Sequence, residues 1–314
     1  MSTRGISGIH HITAIAGDPQ RNLDFYTRVL GLRLVKLTVN FDDPGTYHLY
    51  FGNEGGQPGS ILTFFPWPTA PRGTVGNGQV GATAFAVLPE SIDYWVARLV
   101  QHQASAERLE PRFGDPVVRF VDPDGLPLEI VGAPDADPER AWTGGPVPAP
   151  HAICGFHCAT LAQEGYERTA SLLEVMGFQL VGNEGARYRY KAAGDAASMI
   201  DVLCTPDGRQ GRLGVGTVHH IAFRTPNDEE QGQWREDLVR RGYNVSPIMD
   251  RIYFHSIYLR EPGGVLFEVA TDPPGFALDE SSDTLGTRLM LPPWLETHRS
   301  QLEQRLPRLT RHDL

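Results

Sequence analysis

The sequence predicts an α+β protein made of four β-α-β-β-β units followed by a C-terminal helix. Three observations carry that expectation. The run His-His-Ile occurs twice, at His10-His11-Ile12 and at His219-His220-Ile221, each time opening a stretch of β-branched and aromatic residues. A glycine placed to end a helix follows the opening histidine by 20 residues in the first unit (His11, Gly31) and the third (His157, Gly177), and by 22 in the fourth (His220, Gly242). A proline stands five residues after one recurrent last-strand position in all four units: Thr63, Glu129, Asp201 and Glu268. Recurrence of this kind is the signature of a duplicated structural unit.

The first unit, residues 1–72, opens with a strand over 10–16. Asp18-Pro19 supplies a helix N-cap and first-turn proline, and Leu23, Tyr26, Val29 and Leu30 recur at helical spacing until Gly31. Strands are expected over 33–39, 47–51 and 60–65. The second unit, 76–134, starts at Val80, carries Ile92, Trp95, Val96 and Leu99 on a helix, and closes through a turn at Asp122 to Glu129. Residues 135–150 are rich in Pro, Gly and charge and read as a linker. The third unit, 150–206, opens at Ile153–His157 and closes at Asp201–Cys204. The fourth, 212–275, opens at His219-His220, has a helix with Trp234 and Leu238, and closes at Glu268. The tail, 276–314, is expected to hold an amphipathic helix over about 294–306 that packs on the body.

A chain of 314 residues, 40% hydrophobic, buries a large core, and thirty-four glycines and 25 prolines spread along it mark many short elements. The formal charge of −10, with no basic run, argues against a nucleic-acid surface. No apolar stretch approaches the roughly 20 residues of a membrane span, and the N-terminus lacks the hydrophobic segment of a signal peptide. Three cysteines, Cys154, Cys158 and Cys204, suit a reducing cytoplasm, with the first two read as core thiols and not as half a zinc site. Oligomeric state is left open, a homo-oligomer included.

Successive strand side chains point to opposite faces. His219, Ile221 and Phe223 therefore share an apolar face, and His220 is turned away from it; Phe267 and Val269 likewise oppose Glu268. An imidazole and a carboxylate aimed into a common hollow suit a divalent metal. The recurrent opening slots are His11, Ala82, His157 and His220; the closing slots are Thr63, Glu129, Asp201 and Glu268. Pairing units one and four offers His11, His220 and Glu268 with Thr63, a poor ligand, so coordination positions stay open. Two histidines and one carboxylate with open positions form the facial triad of non-haem iron oxygenases. Pairing units three and four offers His157, Asp201, His220 and Glu268, a four-ligand set suited to a glyoxalase-like lyase or isomerase. The residues alone allow both.

These units, with His and Glu in their first and last strands, resemble the vicinal oxygen chelate superfamily (glyoxalase, bleomycin resistance protein, extradiol dioxygenase). The finer likeness is to bacterial hydroquinone-type ring-cleaving dioxygenases. It is carried by Gly8-Ile-His-His-Ile-Thr13, Thr46-Tyr-His-Leu-Tyr50, Gly216-Thr-Val-His-His-Ile-Ala222 and Leu291-Pro-Pro-Trp294. The resemblance implies two cup-shaped half-barrels, a metal cup from units one and four and a second cup from units two and three. It implies Fe(II), with Mn(II) as the alternative, held by His11, His220 and Glu268, and O2 as cosubstrate. The reaction implied is extradiol-type cleavage of a hydroquinone or related phenol, a small aromatic substrate. His10, Thr13 and His219 are placed near the site, with His10 or His219 as a base poised near neutral pH. Alternation puts both histidines on the far strand face, so either needs a bulge to reach substrate. Arg251 and Tyr258 are expected in the pocket, the first stabilising anionic oxygen and the second donating a hydrogen bond; Thr13 and His255 are the substrate-binding candidates. His157 and Glu129 are expected as leftovers of the repeat or as polar groups in a non-catalytic cup, and whether the second cup, Asp201 included, has a role is left open. Drug-sequestering binding proteins share the fold without needing a metal triad, and the intact His-His-Glu set weighs against that class.

Overall fold

The computed structural model describes residues 5–311. The first unit contributes β1 (Ile9–Ala16), α1 (Pro19–Asp24), β2 (Arg33–Asn40), β3 (Asp43–Gly52) and β4 (Ile61–Pro66). The second contributes β5 (Gln79–Val87), α2 (Ile92–Gln101), β6 (Glu107–Arg112), β7 (Asp115–Val121) and β8 (Pro127–Gly132). The third has β9 (Gly155–Gln163), α3 (Glu167–Val175), β10 (Gln179–Glu184), β11 (Arg187–Lys191) and β12 (Met199–Cys204). The fourth has β13 (Thr217–Thr225), α4 (Asp228–Arg240), β14 (Met249–Asp250), β15 (Phe254–Arg260) and β16 (Leu266–Pro274), and α5 (Arg299–Arg305) lies in the tail. The strands form two eight-stranded sheets, ordered β14-β15-β16-β13-β1-β4-β3-β2 and β10-β11-β12-β9-β5-β8-β7-β6. Antiparallel β1–β13 pairing joins the first unit to the fourth, and β5–β9 pairing joins the second to the third. Each sheet is a curled half-barrel; in the first, Arg251 beyond β14 reaches Asp42 between β2 and β3, from opposite ends of the sheet.

Strand alternation sets the two faces. Ile221, Phe223, Phe267 and Val269 enter the main core with Leu23, Tyr26, Trp234 and Leu238 of the helices, while Ala222 and Ala270 face the cup with Tyr50, Tyr253 and Phe254. Phe267 has no exposed surface. Phe267→Ala is therefore expected to destabilise by about 3–5 kcal/mol, the transfer and cavity cost of a buried aromatic. A shift of the urea midpoint reads it, and a neutral result would mean that the strand faces are reversed.

The register corrects three expectations. The β1–β13 ladder skips His10 between Ile9 and His11 and skips His219 between Val218 and His220, so both are bulge residues. A bulge turns two consecutive side chains toward one side. His219 thus joins His220 and does not share a face with Ile221. The β5–β9 ladder skips Gly81 and His157 in the same way. Glu268 pairs with Ala222, two residues after His220, and Thr63 with Thr13, two after His11. Asp201 pairs with Thr160, two after Cys158, so the opening slot of unit three is Cys158 and His157 is the counterpart of His10.

The tail departs from the expected single helix. Pro293–His298 is a 3-10 stretch that starts on Pro293, only Arg299–Arg305 is α-helical, and Trp294 stays about half exposed. Ahead of it, residues 276–285 strap the first cup. Phe276 and Leu285 bury against Val35 and Tyr50, and the fully buried Lys36 ammonium lies 2.6 Å from both Asp279 Oδ1 and Glu280 Oε2.

Candidate metal centre

β1, β13 and β16 are adjacent in the first sheet and deliver one donor each to a buried point. Among the described residues, His11, His220 and Glu268 are brought together with donor atoms within 4.8 Å of one another. His11 Nε2 lies 3.3 Å from His220 Nε2, and Glu268 Oε2 lies 3.0 Å from His220 Nε2 and 3.4 Å from His11 Nε2. Despite this closeness, Glu268 Oε2 is buried and receives no well-formed hydrogen bond. Three lone pairs converging head-on are costly unless a cation sits among them. Separations near 3 Å are those of neighbouring ligands about 2.1 Å from a metal in octahedral geometry. The donor set therefore fits a divalent transition ion.

Each donor is braced from behind, as metal ligands are. His11 Nδ1 is 2.9 Å from His10 Nδ1, and His220 Nδ1 is 2.8 Å from His219 Nδ1. With Nε2 bare for the metal, each ligand ring carries its proton on Nδ1 and donates it to the bulged neighbour. Ser256 Oγ donates to Glu268 Oε1, fixing the carboxylate so that Oε2 points inward. Burial works against the Glu268 charge; with a proton on Nε2, His11 and His220 would outweigh it and hold the pKa well below the usual carboxylate range, a part that a cation takes over when the two rings are bare. Burial and then the Glu268 contacts set the His220 balance, and its pKa is lowered, which keeps the ring neutral and able to ligate.

The centre opens into a cavity of about 360 Å³. Phe41, Phe65, Trp67, Phe254 and Leu266 make its apolar wall, and His48, His219, Arg251 and Tyr258 are among its polar members, with Asn40, Asp42 and Asp43 also lining it. Such a size and balance suit a single small ring. Arg251 Nε is 3.3 Å from Tyr258 Oη, and its other end pairs with Asp42 Oδ2 at 3.1 Å. Burial, followed by the Glu268 charge, raises the Tyr258 pKa, so the phenol stays protonated and donates.

Four of the remaining candidates stand differently from expectation. His10 is buried against Phe254 and does not reach the cavity. Neither His10 nor His219 is poised near neutrality: burial and the adjacent ligand histidine push His10 well below its ordinary value and His219 down to about 3. Thr13 is buried behind the wall, 2.8 Å from Thr63 Oγ1. His255 lies on the other face of β15 from Ser256 and Tyr258, with Nδ1 2.6 Å from Asp228 at the start of α4. Alternation explains that placement, since positions 254, 256 and 258 face the cup. His48, Ser256 and Asp42 were missed. His48 alternates with the core residues Tyr47 and Leu49 inside the quoted Thr46–Tyr50 run, and Ser256 sits two before Tyr258. Those periodicities were the available signals.

Among the described residues the second cup holds no comparable set. Glu129 is bound bidentately by Arg112 at 2.6 and 2.7 Å, and Asp201 by Arg189 at 2.8 and 3.0 Å with Arg187 at 3.0 Å. Arginine thus occupies the place of a metal. His157 and Asp201 belong to this cup, so the four-ligand set with His220 and Glu268 is not assembled. Burial, and then Arg189, lower the His157 pKa to about 4. The unfolded chain binds this proton below about pH 6.5 and the folded one does not. Stability is therefore expected to fall as pH drops from 6.5 toward 4, by up to about 1.4 kcal/mol per pH unit from this group. His157→Gln should flatten that slope in urea melts at pH 5 and 7; an unchanged slope would assign the acid lability elsewhere.

Among the described residues no helix is long and apolar enough to cross a membrane. The sequence matches the Glyoxalase/Bleomycin resistance protein/Dioxygenase superfamily over residues 8–130 and 159–269. It is 54% identical over 300 residues to "Putative ring-cleaving dioxygenase MhqO" of Bacillus subtilis (strain 168), covering 95% of each chain. It is 35% identical to chlorohydroquinone/hydroquinone 1,2-dioxygenase of Sphingobium indicum, again over 95% of each. A crystal structure of a Bacillus subtilis subsp. subtilis str. 168 protein named "putative dioxygenase" superposes with a TM-score of 0.95 at 51% identity, covering 99% of this chain and all of that one. Matched over most of its length in sequence and in fold, with the repeat's ligand positions filled in one cup, the chain belongs to the glyoxalase/bleomycin resistance protein/dioxygenase superfamily.

Proposed function

We propose that the chain is an Fe(II)-dependent dioxygenase that opens the ring of a hydroquinone or related phenol in extradiol fashion, with O2 as cosubstrate. The observation that carries this reading is the His11, His220 and Glu268 donor set facing an aromatic-lined cavity, with Thr63 in the fourth repeat slot leaving coordination positions free. The names of MhqO and of the Sphingobium enzyme support the same reaction. Manganese fits the donor set as the alternative ion. The three free cysteines support a reducing cytoplasm as its location, and the acidic chain is taken to act on a small aromatic molecule without nucleic acid or membrane.

Bound iron would supply a path for electrons between a phenolate and O2. The chain's residues do the rest. The apolar wall holds the ring and keeps water out. Arg251 offers a fixed positive charge to oxygen that becomes anionic, and the protonated Tyr258 phenol donates a hydrogen bond beside it. His219 lines the cavity as a neutral imidazole tied to His220, which makes it a brace for the ligand.

O2 uptake by anaerobically Fe(II)-loaded protein tests the reading, with hydroquinones, catechols and thiol–aldehyde adducts as substrates. Uptake with hydroquinones is expected. Conversion of the adducts without O2 would replace the dioxygenase by a lyase.

A further inference from the structure

Thr63 fills the repeat position that Glu268 fills in the fourth unit, and what Thr63 binds is informative. Tyr50 pairs with Thr63 across β3–β4 as Tyr258 pairs with Glu268 across β15–β16. His48 is therefore the counterpart of Ser256. Ser256 braces the Glu268 carboxylate; His48 Nε2 lies 2.8 Å from Thr63 Oγ1, which lies 2.8 Å from Thr13 Oγ1. The imidazole is gripped by Tyr50 and Phe65, with ring centroids 3.9 and 4.4 Å away. Its Nδ1 has no partner among the described residues and faces the cavity that His48 lines with His11, His220 and Arg251. A ring held by two aromatics and one hydroxyl, with one nitrogen left toward a ligand-sized space, is preorganised to meet a polar group there.

We propose that His48 Nδ1 is the hydrogen-bond partner of the substrate's second ring oxygen, the one that does not go to the metal donors; this rests on the dioxygenase reading above. The Thr13–Thr63–His48 chain of three neutral groups can run in either direction. When Thr63 donates to Nε2, Nδ1–H donates into the cavity; when Nε2–H donates to Thr63, Nδ1 accepts. His48 thus serves a hydroxyl or a keto oxygen equally well, without a change of charge. The substrate class it selects is the dioxygenated ring over the monophenol. His48 is a positioning residue, distinct from the oxygen-activating set.

The test is anaerobic calorimetric binding of hydroquinone and of phenol to Fe(II)-loaded wild-type, His48→Gln and His48→Asn proteins. Glutamine places its amide near the Nε2 position and keeps the Thr63 contact; asparagine places its amide near Nδ1 and keeps the cavity contact. Wild type should favour hydroquinone over phenol by about 3- to 10-fold, one neutral hydrogen bond. His48→Gln should erase that preference while metal content and the far-UV circular dichroism spectrum are kept, and His48→Asn should restore much of it. A preference that survives in His48→Gln overturns the proposal, as does wild-type protein that binds the two probes equally. In the latter case O2 uptake still judges the dioxygenase reading separately. Binding of neither probe sinks both.

Discussion

Glu268→Ala is expected to abolish metal binding and ring cleavage together, and His11→Ala and His220→Ala to do the same. Each removes one of three converging donors, so two remain and a carboxylate-poor or imidazole-poor pair holds a divalent ion weakly. The fold should survive. These side chains face the cup while the apolar residues beside them, Ile221 and Phe267, hold the core, and loss of Glu268 also removes a buried oxygen without a hydrogen bond. Metal content measured after desalting, alongside far-UV circular dichroism, reads both halves of this expectation. His157→Ala is the contrasting variant. His157 sits in the other cup beside Asp115 and the Arg189–Asp201 pair, and should keep both metal and activity. Metal lost from the His157 variant and kept by His11→Ala would reverse the assignment and favour Lewis-acid chemistry over oxygen chemistry. Ser256→Ala should fall between the extremes. It leaves all three donors but frees the Glu268 carboxylate to rotate, and a weakening of about 10- to 100-fold in metal affinity is the usual scale for such a brace.

The donors were legible in the sequence because a closing strand advertises its phase. The alternation around Val265–Val269 and the proline five residues on locate Glu268 without knowledge of any partner strand. The opening strands were harder. A bulge is a property of two strands in register, so nothing within His10-His11 or His219-His220 shows which residue is the extra one. The same blindness made His157 look like the slot of unit three. Its 20-residue spacing to Gly177 copies that of His11 to Gly31, yet Cys158 is the residue that the β9–β12 pairing aligns with His11. His48 escaped for another reason. Its importance comes from Thr63, a slot that looked merely vacant, and from rings that only folding brings against it. Arginine in the second cup was likewise invisible: Arg112, Arg187 and Arg189 are spread over two units and read as ordinary surface charge until the strands pair.

Arg251→Ala should retain the metal and lose about 10²- to 10³-fold in kcat, the scale for removing one preorganised electrostatic partner from a site of this kind. The guanidinium touches none of the three donors directly; it lines the cavity, contacts Tyr258 Oη and is held by Asp42 across the mouth of the cup. Burial alone would depress its pKa, but Tyr258 and Asp42 outweigh that and raise it, so the charge is permanent. A fixed positive charge beside a reacting oxygen acts most on the charge that develops during reaction, so kcat and kcat/KM should fall together with KM little changed. Arg251→Lys should recover only part of the loss. A lysine restores the charge but not the planar fork that spans Tyr258 and Asp42. Asp42→Asn separates tether from charge, since Asp42 is mostly exposed and its removal leaves Arg251 free to swing without neutralising it. A loss below about tenfold is expected there, in keeping with an exposed ion pair worth at most about 1 kcal/mol. A raised KM with unchanged kcat in Arg251→Ala would make the arginine a substrate anchor and remove it from the oxygen chemistry.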